Sequence, residues 1–448
     1  MHYKKSNRML YLLIIIEIIL LYIAIKFTHK DYLSPCVVTL ALFFVSTVSV
    51  VPNIEYWDVD FRIVTVLYLS IFFLTIVMTE IIVKGIMFKK NRWIDLRTCN
   101  KANPIQVNSL LYIIICIVII LATLVYVRAI FRIGGATLLA IGFVKEEELP
   151  IGLIPKMCVR MAPCYSYPFI FIMIYNMVYC KDRIKYNIKY LIPIVCYIVV
   201  IFFSGVRSPL VYPIAAALVY VIMMERFRFG WDKINLLKYM WSFMAIFGVF
   251  IVFFFSIRGV VKNKEYDSDY GIMSYITYYW GSPIHLFNKV IDNTSLVFPT
   301  NYHVFGANTF VGLYEEQHTW GLSKVDIRTN ETEFQYVGGD FEGGGNVYTM
   351  FISPLHDFGF YGTLLYLICF YGLISLFYYK KIKYSKYKKR AIIPIYIYGY
   401  FFYFILMTFY STTTCFLKFQ MLIPFFTSII MLKFMMWSGG IRKHSSVN

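Results

Sequence analysis

Val337–Gly359 reads VGGDFEGGGNVYTMFISPLHDFG, and here the one long hydrophilic stretch of the chain runs into an apolar segment. The hydrophilic stretch begins at Arg258 and ends at Gly345. On either side the chain is a series of apolar runs of about 18 residues or more, the length a helix needs to cross the hydrocarbon of a bilayer. That contrast sets the expected fold class: an all-α, polytopic helical membrane protein with one large loop on one side.

Composition agrees. Of 448 residues, 59% are hydrophobic and 15% charged, and mean hydropathy is +0.64. A soluble domain keeps about a quarter of its residues charged. The net charge of +18 would point to nucleic acid in a soluble chain. Here the basic residues fall in short clusters between apolar runs and read as topology signals, so no nucleic-acid partner is expected and the bilayer is. Cys36, Cys116, Cys180, Cys196, Cys369 and Cys415 lie in or beside apolar runs without C-x-x-C spacing, which argues for packing rather than disulfides or metal. The first apolar run, Met9–Phe27, is long for a signal peptide and lacks a small-residue cleavage site, so it reads as a span.

Eleven helices are expected to cross: 9–27, 32–52, 63–83, 107–127, 158–179, 190–204, 209–224, 239–257, 354–379, 391–411 and 417–436. This gives three parts: 1–257 with eight spans, 258–350 as the large loop, and 351–448 with three spans and a tail. Basic clusters at Lys84–Lys101, Lys181–Lys189, Arg226–Lys238, Lys380–Arg390 and Arg442–Lys443 then fall on one side, the cytoplasmic one. The large loop falls on the other. It holds eleven Asp and Glu against six Lys and Arg, so it is acidic. Lys4, Lys5 and Arg8 leave the orientation of the first hairpin open. Residues 128–144, apolar and broken by Gly134 and Gly135, fit a helix lying in the interface. Two arms of about 15 residues flank SGVRSP at 204–209; each reaches only about 22 Å, which draws Arg207 below the outer surface.

An arginine at membrane depth is a functional signal. Arg160 and Arg258 stand at outer ends of spans, and guanidinium holds phosphate with a two-pronged fork that stays charged. The alternative for all three is a side chain that merely reaches for the interface. Asp340 and Glu342 in the glycine-rich stretch, and Asp357 beside His356, are candidates for a base; a solvated acidic face is the alternative. Glu80 precedes Lys84 by one turn, where a helix-surface ion pair is the plain account. Tyr275, Tyr278, Tyr279, Trp280, Trp320, Tyr336, Phe341 and Tyr348 crowd the loop, and aromatic faces suit sugar rings. H-E-x-x-H, Walker, G-x-S-x-G and metal-ligand patterns are lacking, and no cofactor is expected.

NVYTMFISPLHDFGFYGTLLY at 346–366 resembles the segment that follows the large periplasmic loop of O-antigen (oligosaccharide repeat-unit) polymerases, the Wzy type. SGVRSPLV at 204–211, FRIGGATLL at 131–139 and SYITYYWGSPIHLFN at 274–288 are also similar. The resemblance implies a GT-C-like fold in a bacterial inner membrane, with a periplasmic loop and a cytoplasmic C-terminus. It implies a glycosyltransferase that joins undecaprenyl-diphosphate-linked oligosaccharides by inverting transfer, beside a flippase and a chain-length regulator in the same membrane. Periplasm-facing arginines are the residues such enzymes emphasise, here Arg207 and Arg258; Arg160 is a candidate phosphate contact from its place at a span end alone. The chain departs from an R-x(10)-G pattern of some members, since 218 and 269 are Leu and Asp. Asp357 or Asp340 would orient the acceptor, with Tyr348 and His356 contacting substrate. An O-antigen ligase or another lipid-linked glycosyltransferase is the alternative, and a polysaccharide flippase a further one.

Overall fold

Apolar side chains leave a backbone in lipid no partner but itself, and the chain answers with helices. The computed structural model describes residues 3–90, 103–134, 152–204, 208–231, 272–298, 304–324, 327, 332–339, 341–385 and 388–438. Its main helices are α1 (Tyr3–Phe27), α2 (Pro35–Val50), α3 (Ile63–Lys90), α4 (Ser109–Gly134), α5 (Leu153–Ile174), α6 (Leu191–Ser204), α7 (Ser208–Phe229), α8 (Ile272–Val290), α9 (Val311–Thr319), α10 (Ile352–Phe377), α11 (Lys388–Leu406) and α12 (Phe419–Ser438). One antiparallel hairpin pairs β1 (Gln335–Gly338) with β2 (Phe341–Gly345). Among the described residues eight helical runs are long and apolar enough to cross a membrane, and Arg390–Leu406 is a shorter apolar helix. The protein is therefore a mainly helical, multi-pass membrane protein.

Several expectations change. The segment 239–257 lies outside the described residues. The first residues of the expected interfacial helix, 128–134, continue α4 without a break, and the rest of it lies outside the described residues. Of the arms around SGVRSP, α6 is as short as expected, 14 residues or about 21 Å, and follows a separate short helix and a 3-10 turn from Ile184; α7 is longer than expected, 22 residues or about 33 Å. The charged Glu225, Arg226 and Arg228 are helical, where the sequence reading had stopped at Met224. The second arm is long enough to span, so its length gives no reason to draw the turn with Arg207, which lies outside the described residues, below the outer surface.

The chain divides into two compact units. Unit 1 is Met1–Ile94, Tyr266–Lys386 and Phe404–Phe419; unit 2 is Asp95–Glu265, Tyr387–Tyr403 and Gln420–Asn448. In unit 2, α4, α5 and α6 pack on one another and α7 packs on α5. Its interior is rich in tyrosine: Tyr167 meets Tyr400 at 4.5 Å, and the Tyr220 hydroxyl donates to the Tyr396 carbonyl at 3.0 Å.

In unit 1, α2 and α3 pack on α1, α10 packs on α3, and α8 packs on α2. The core is aromatic. Phe351, at the mouth of α10, lies 5.2 Å from Phe43 and 4.9 Å from Phe72. The two ends of this unit differ in charge. At one end the Cys36 amide donates to the Glu80 carboxylate, as do the hydroxyls of Tyr379 and Ser375, while Tyr378 and Lys383 donate to Asp31. Lys84 donates to the Phe27 carbonyl. Glu80 is thus held by other segments, and the expected helix-surface pair with Lys84 gives way to contacts across the bundle. Lys26, Lys30, Lys380 and Lys381 share this end.

The opposite end is covered by the described part of the large loop, which is folded rather than merely solvated. Helix α8 buries Ile284, Leu286, Phe287 and Val290. Gly281 lies so close to α2 that a Cβ would sit 3.0 Å from the backbone of Ser49, and Ser46 donates to the Trp280 carbonyl. The β-hairpin then folds onto the turn before α3. Its bend is Gly338–Gly339, with φ of +109° and +65°, a region costly for other residues. A Cβ on Gly339 would also fall 2.3 Å from the Tyr56 carbonyl oxygen. Gly339→Ala should therefore cost about 2 kcal/mol or more and lower the melting temperature in detergent. Gly85→Ala, in open space on α3, should leave it unchanged; equal melting of both variants would contradict the docking described here.

Candidate functional site

The end of unit 1 under the folded loop holds three of the residues that the sequence singled out, Tyr348, His356 and Asp357. Helix α10 begins at Ile352 and is interrupted at Gly359, whose φ of 65° and ψ of −170° are not helical and suit glycine alone. His356 and Asp357 occupy the short segment before this break. Asp357 is enclosed by donors from the loop: Oδ2 accepts from the Asn308 amide (3.0 Å), the Thr309 amide (2.6 Å) and the Thr309 hydroxyl (2.7 Å), and Oδ1 from Asn308 Nδ2 (2.8 Å). The Thr309 carbonyl in turn accepts from the Thr414 hydroxyl, 3.1 Å from Tyr366 Oη. Four donors fix the carboxylate as a clasp between α10 and residues 308–309. Its lone pairs are spent on structure, which argues against the expected role as a base.

His356 is differently placed. Nδ1 lies 3.0 Å from Thr294 Oγ1 and the ring packs 4.8 Å from Phe298. The imidazole is half-buried, and Nε2 has no partner among the described residues. If Nδ1 donates to Thr294, Nε2 presents a lone pair and can accept a hydroxyl proton. Tyr348 is not a surface group as expected. It is 2% exposed, and its hydroxyl donates to the Glu333 carbonyl at 2.7 Å. Burial, with Glu333 adding, pushes this phenol up, so it stays a donor in the core. Arg160 is exposed on α5, in unit 2. Arg207, Arg258 and Asp340 lie outside the described residues.

Sequence reasoning missed the supports of this end. Asn288, 1% exposed, accepts from the Arg62 amide and the Thr65 hydroxyl and donates to the Asp60 carbonyl, while Arg62 pairs with Asp292. These bonds tie α8 to the start of α3. One turn earlier, His285 Nε2 donates to the Val337 carbonyl at 2.9 Å beneath the hairpin, with Trp57 beside the ring. Lys289 donates to the Tyr336 and Val337 carbonyls, and burial pulls its pKa down. Asn308 and Thr309 sit in FGANTF, which matches no motif and has no apolar period. Their role is visible only once Asp357 is beside them.

Compared with known proteins, the chain matches no family model, no curated protein and no solved structure.

Two outcomes follow from the geometry. Asp357→Asn puts an amide where donors converge and removes the charge they bind. With about 2 kcal/mol in charged hydrogen bonds at stake, amide exchange at Asn308 and Thr309 should quicken roughly 30-fold; unchanged protection would contradict the clasp. The second outcome concerns pH. Burial pulls the His285 pKa from 6.5 down to about 4, so the folded cap holds this ring neutral. Above about 6.5 neither state binds the proton and stability is flat. Between 6.5 and about 4 the unfolded chain takes up a proton that the folded chain refuses, and stability falls. Melting temperatures at pH 8, 6 and 5 should show this decline, and His285→Gln should lessen it.

Proposed function

We propose that this chain is a polymerase of lipid-linked oligosaccharides: a glycosyltransferase that joins undecaprenyl-diphosphate-linked repeat units at the periplasmic face of a bacterial inner membrane. One observation carries the reading. The segments 274–288 and 346–366, which hold the resemblance and lie far apart in sequence, come together in unit 1. Phe287 packs 6.2 Å from Phe351, and Tyr278 donates to the Gly344 carbonyl just before the second segment. Together they form a folded cap at the end opposite the lysine cluster. The positive-inside tendency supports giving the lysine-rich end to the cytoplasm and the cap, with the start of α1, to the periplasm.

The chemistry asks little of a general acid. An acceptor hydroxyl oxygen attacks the anomeric carbon of the donor chain. The bond from that carbon to the lipid diphosphate breaks, and the diphosphate leaves with the electron pair. Fixed cations on the departing oxygens lower the barrier, and the resemblance gives that role to Arg207 and Arg258. A group that accepts the hydroxyl proton completes the reaction. Within unit 1, His356, whose Nε2 has no partner among the described residues, suits this better than Asp357. A separate flippase delivers the substrate, and a chain-length regulator is the expected partner.

The test gives purified protein a lipid-linked repeat unit and separates the products on a gel. A ladder is expected. Arg207→Lys should slow its growth by about 100-fold, and His356→Gln by about 100-fold or more. A product formed only when lipid A core is supplied would mean a ligase. Movement between leaflets without new bonds would mean a flippase.

A further inference from the structure

Helix α1 meets the bundle through one stripe: Leu10, Leu13, Glu17, Leu20 and Ala24 are buried, while Tyr11, Ile15, Ile18, Ile19 and Tyr22 on its other faces are exposed. The stripe is apolar but for Glu17, which is 0% exposed and lies near the middle of the span Arg8–Phe27. Its Oε1 is 2.8 Å from Thr47 Oγ1, and its Oε2 is buried without a partner among the described residues. Thr47 Oγ1 is also 3.0 Å from the Phe43 carbonyl oxygen. Three oxygens therefore make two short contacts through one hydroxyl. Thr47 has a single hydrogen to give, and the Phe43 carbonyl can only accept. An ionised Glu17 can only accept as well, so one of the two contacts would lack a hydrogen. The missing hydrogen is supplied if Glu17 itself carries it.

We propose that Glu17 is a proton-binding site inside the bundle. It holds a proton at neutral pH and donates it to Thr47, which donates to the Phe43 carbonyl. The partnerless Oε2 is then the carbonyl oxygen of a neutral acid, far cheaper to bury than half of a carboxylate. Among the described residues no charged group competes for this role. Of the elements packed on α1, α2 carries Cys36 as its one titratable side chain. Helix α3 carries Tyr68, Glu80 and Lys84 among its described side chains. Cys36, Glu80 and Lys84 gather at the Phe27–Asp31 end, about 15 Å along the helix from Glu17. Among the described residues no cation forms an ion pair with Glu17. The site is separate from the end of unit 1 discussed above, and the proposal does not depend on the function assigned there. Its consequence is that loss of this one proton loosens α1 from α2.

Infrared spectroscopy of the full chain in nanodiscs tests this. The difference spectrum between the parent protein and Glu17→Gln at neutral pH should contain a protonated carboxyl band that Glu17→Gln lacks and that shifts in Thr47→Val. Glu17→Gln, whose amide can donate to Thr47 as the acid does, should melt at the parent temperature near neutrality. As pH is raised the parent should lose melting temperature and Glu17→Gln should lose less. Carboxylate bands in place of the carboxyl band would overturn the proposal. So would sodium-dependent melting of the parent at fixed pH that Glu17→Gln abolishes, since a metal ion would then occupy the three oxygens.

Discussion

The close approach of α8 to α2 is the contact on which the outer architecture of unit 1 rests. Gly281 has no Cβ, so the two backbones meet at Ser49, and Ser46 and Trp280 bond across the seam. With α8 held there, the rest of the cap has a floor. His285 reaches up to Val337 and holds the hairpin, and Asn288 reaches across to Asp60, Arg62 and Thr65 and holds the start of α3. Phe287 completes the aromatic core around Phe351. A stretch that is hydrophilic on average is thereby fixed by a few buried side chains, each with a bonding partner far away in sequence.

The same economy governs the mouth of α10. Asp357 and His356 are neighbours in sequence but have different duties. The carboxylate is surrounded by donors from residues 308–309 and orders the loop. The imidazole is anchored through one nitrogen, and the other has no partner among the described residues. Four donors on one carboxylate tie the mouth of α10 to residues 308–309 and leave little room for another partner. A histidine anchored on one side only is free to exchange a proton on the other.

Inside the bundle, polar groups are few and matched across helices rather than along them. Glu80 joins α2, α3 and α10 through Cys36, Ser375 and Tyr379; Asp31 joins the α1–α2 turn to Tyr378 and Lys383; Glu17 joins α1 to α2 through Thr47. Packing of apolar faces in lipid has little directional preference of its own, so such bonds are well suited to choosing one register. Breaking one side of such a pair leaves a buried polar group unsatisfied, which is why their cost is felt in register before it is felt in insertion.

Membrane class, the positions of most helices and the clustering of lysines were legible in the sequence, because hydropathy is a local property and lipid imposes a length on it. Glu80 could be placed inside a span from its apolar neighbours, but its partners across the bundle could not. The ends of helices were read less well. Glu225–Arg228 looked like a loop but continue α7, since long charged side chains can leave the hydrocarbon while their backbone stays helical. What only the tertiary structure decided was partnership. Nothing local in HDFG says that its Asp would be enclosed by FGANTF fifty residues earlier, or that Tyr348 would turn inward to Glu333. Nothing in SYITYYWGSPIHLFN announces that a loop helix would lie against α2. A hydrogen bond depends on which donor arrives at a given acceptor, and arrival is set by the path of the whole chain rather than by the residues on either side.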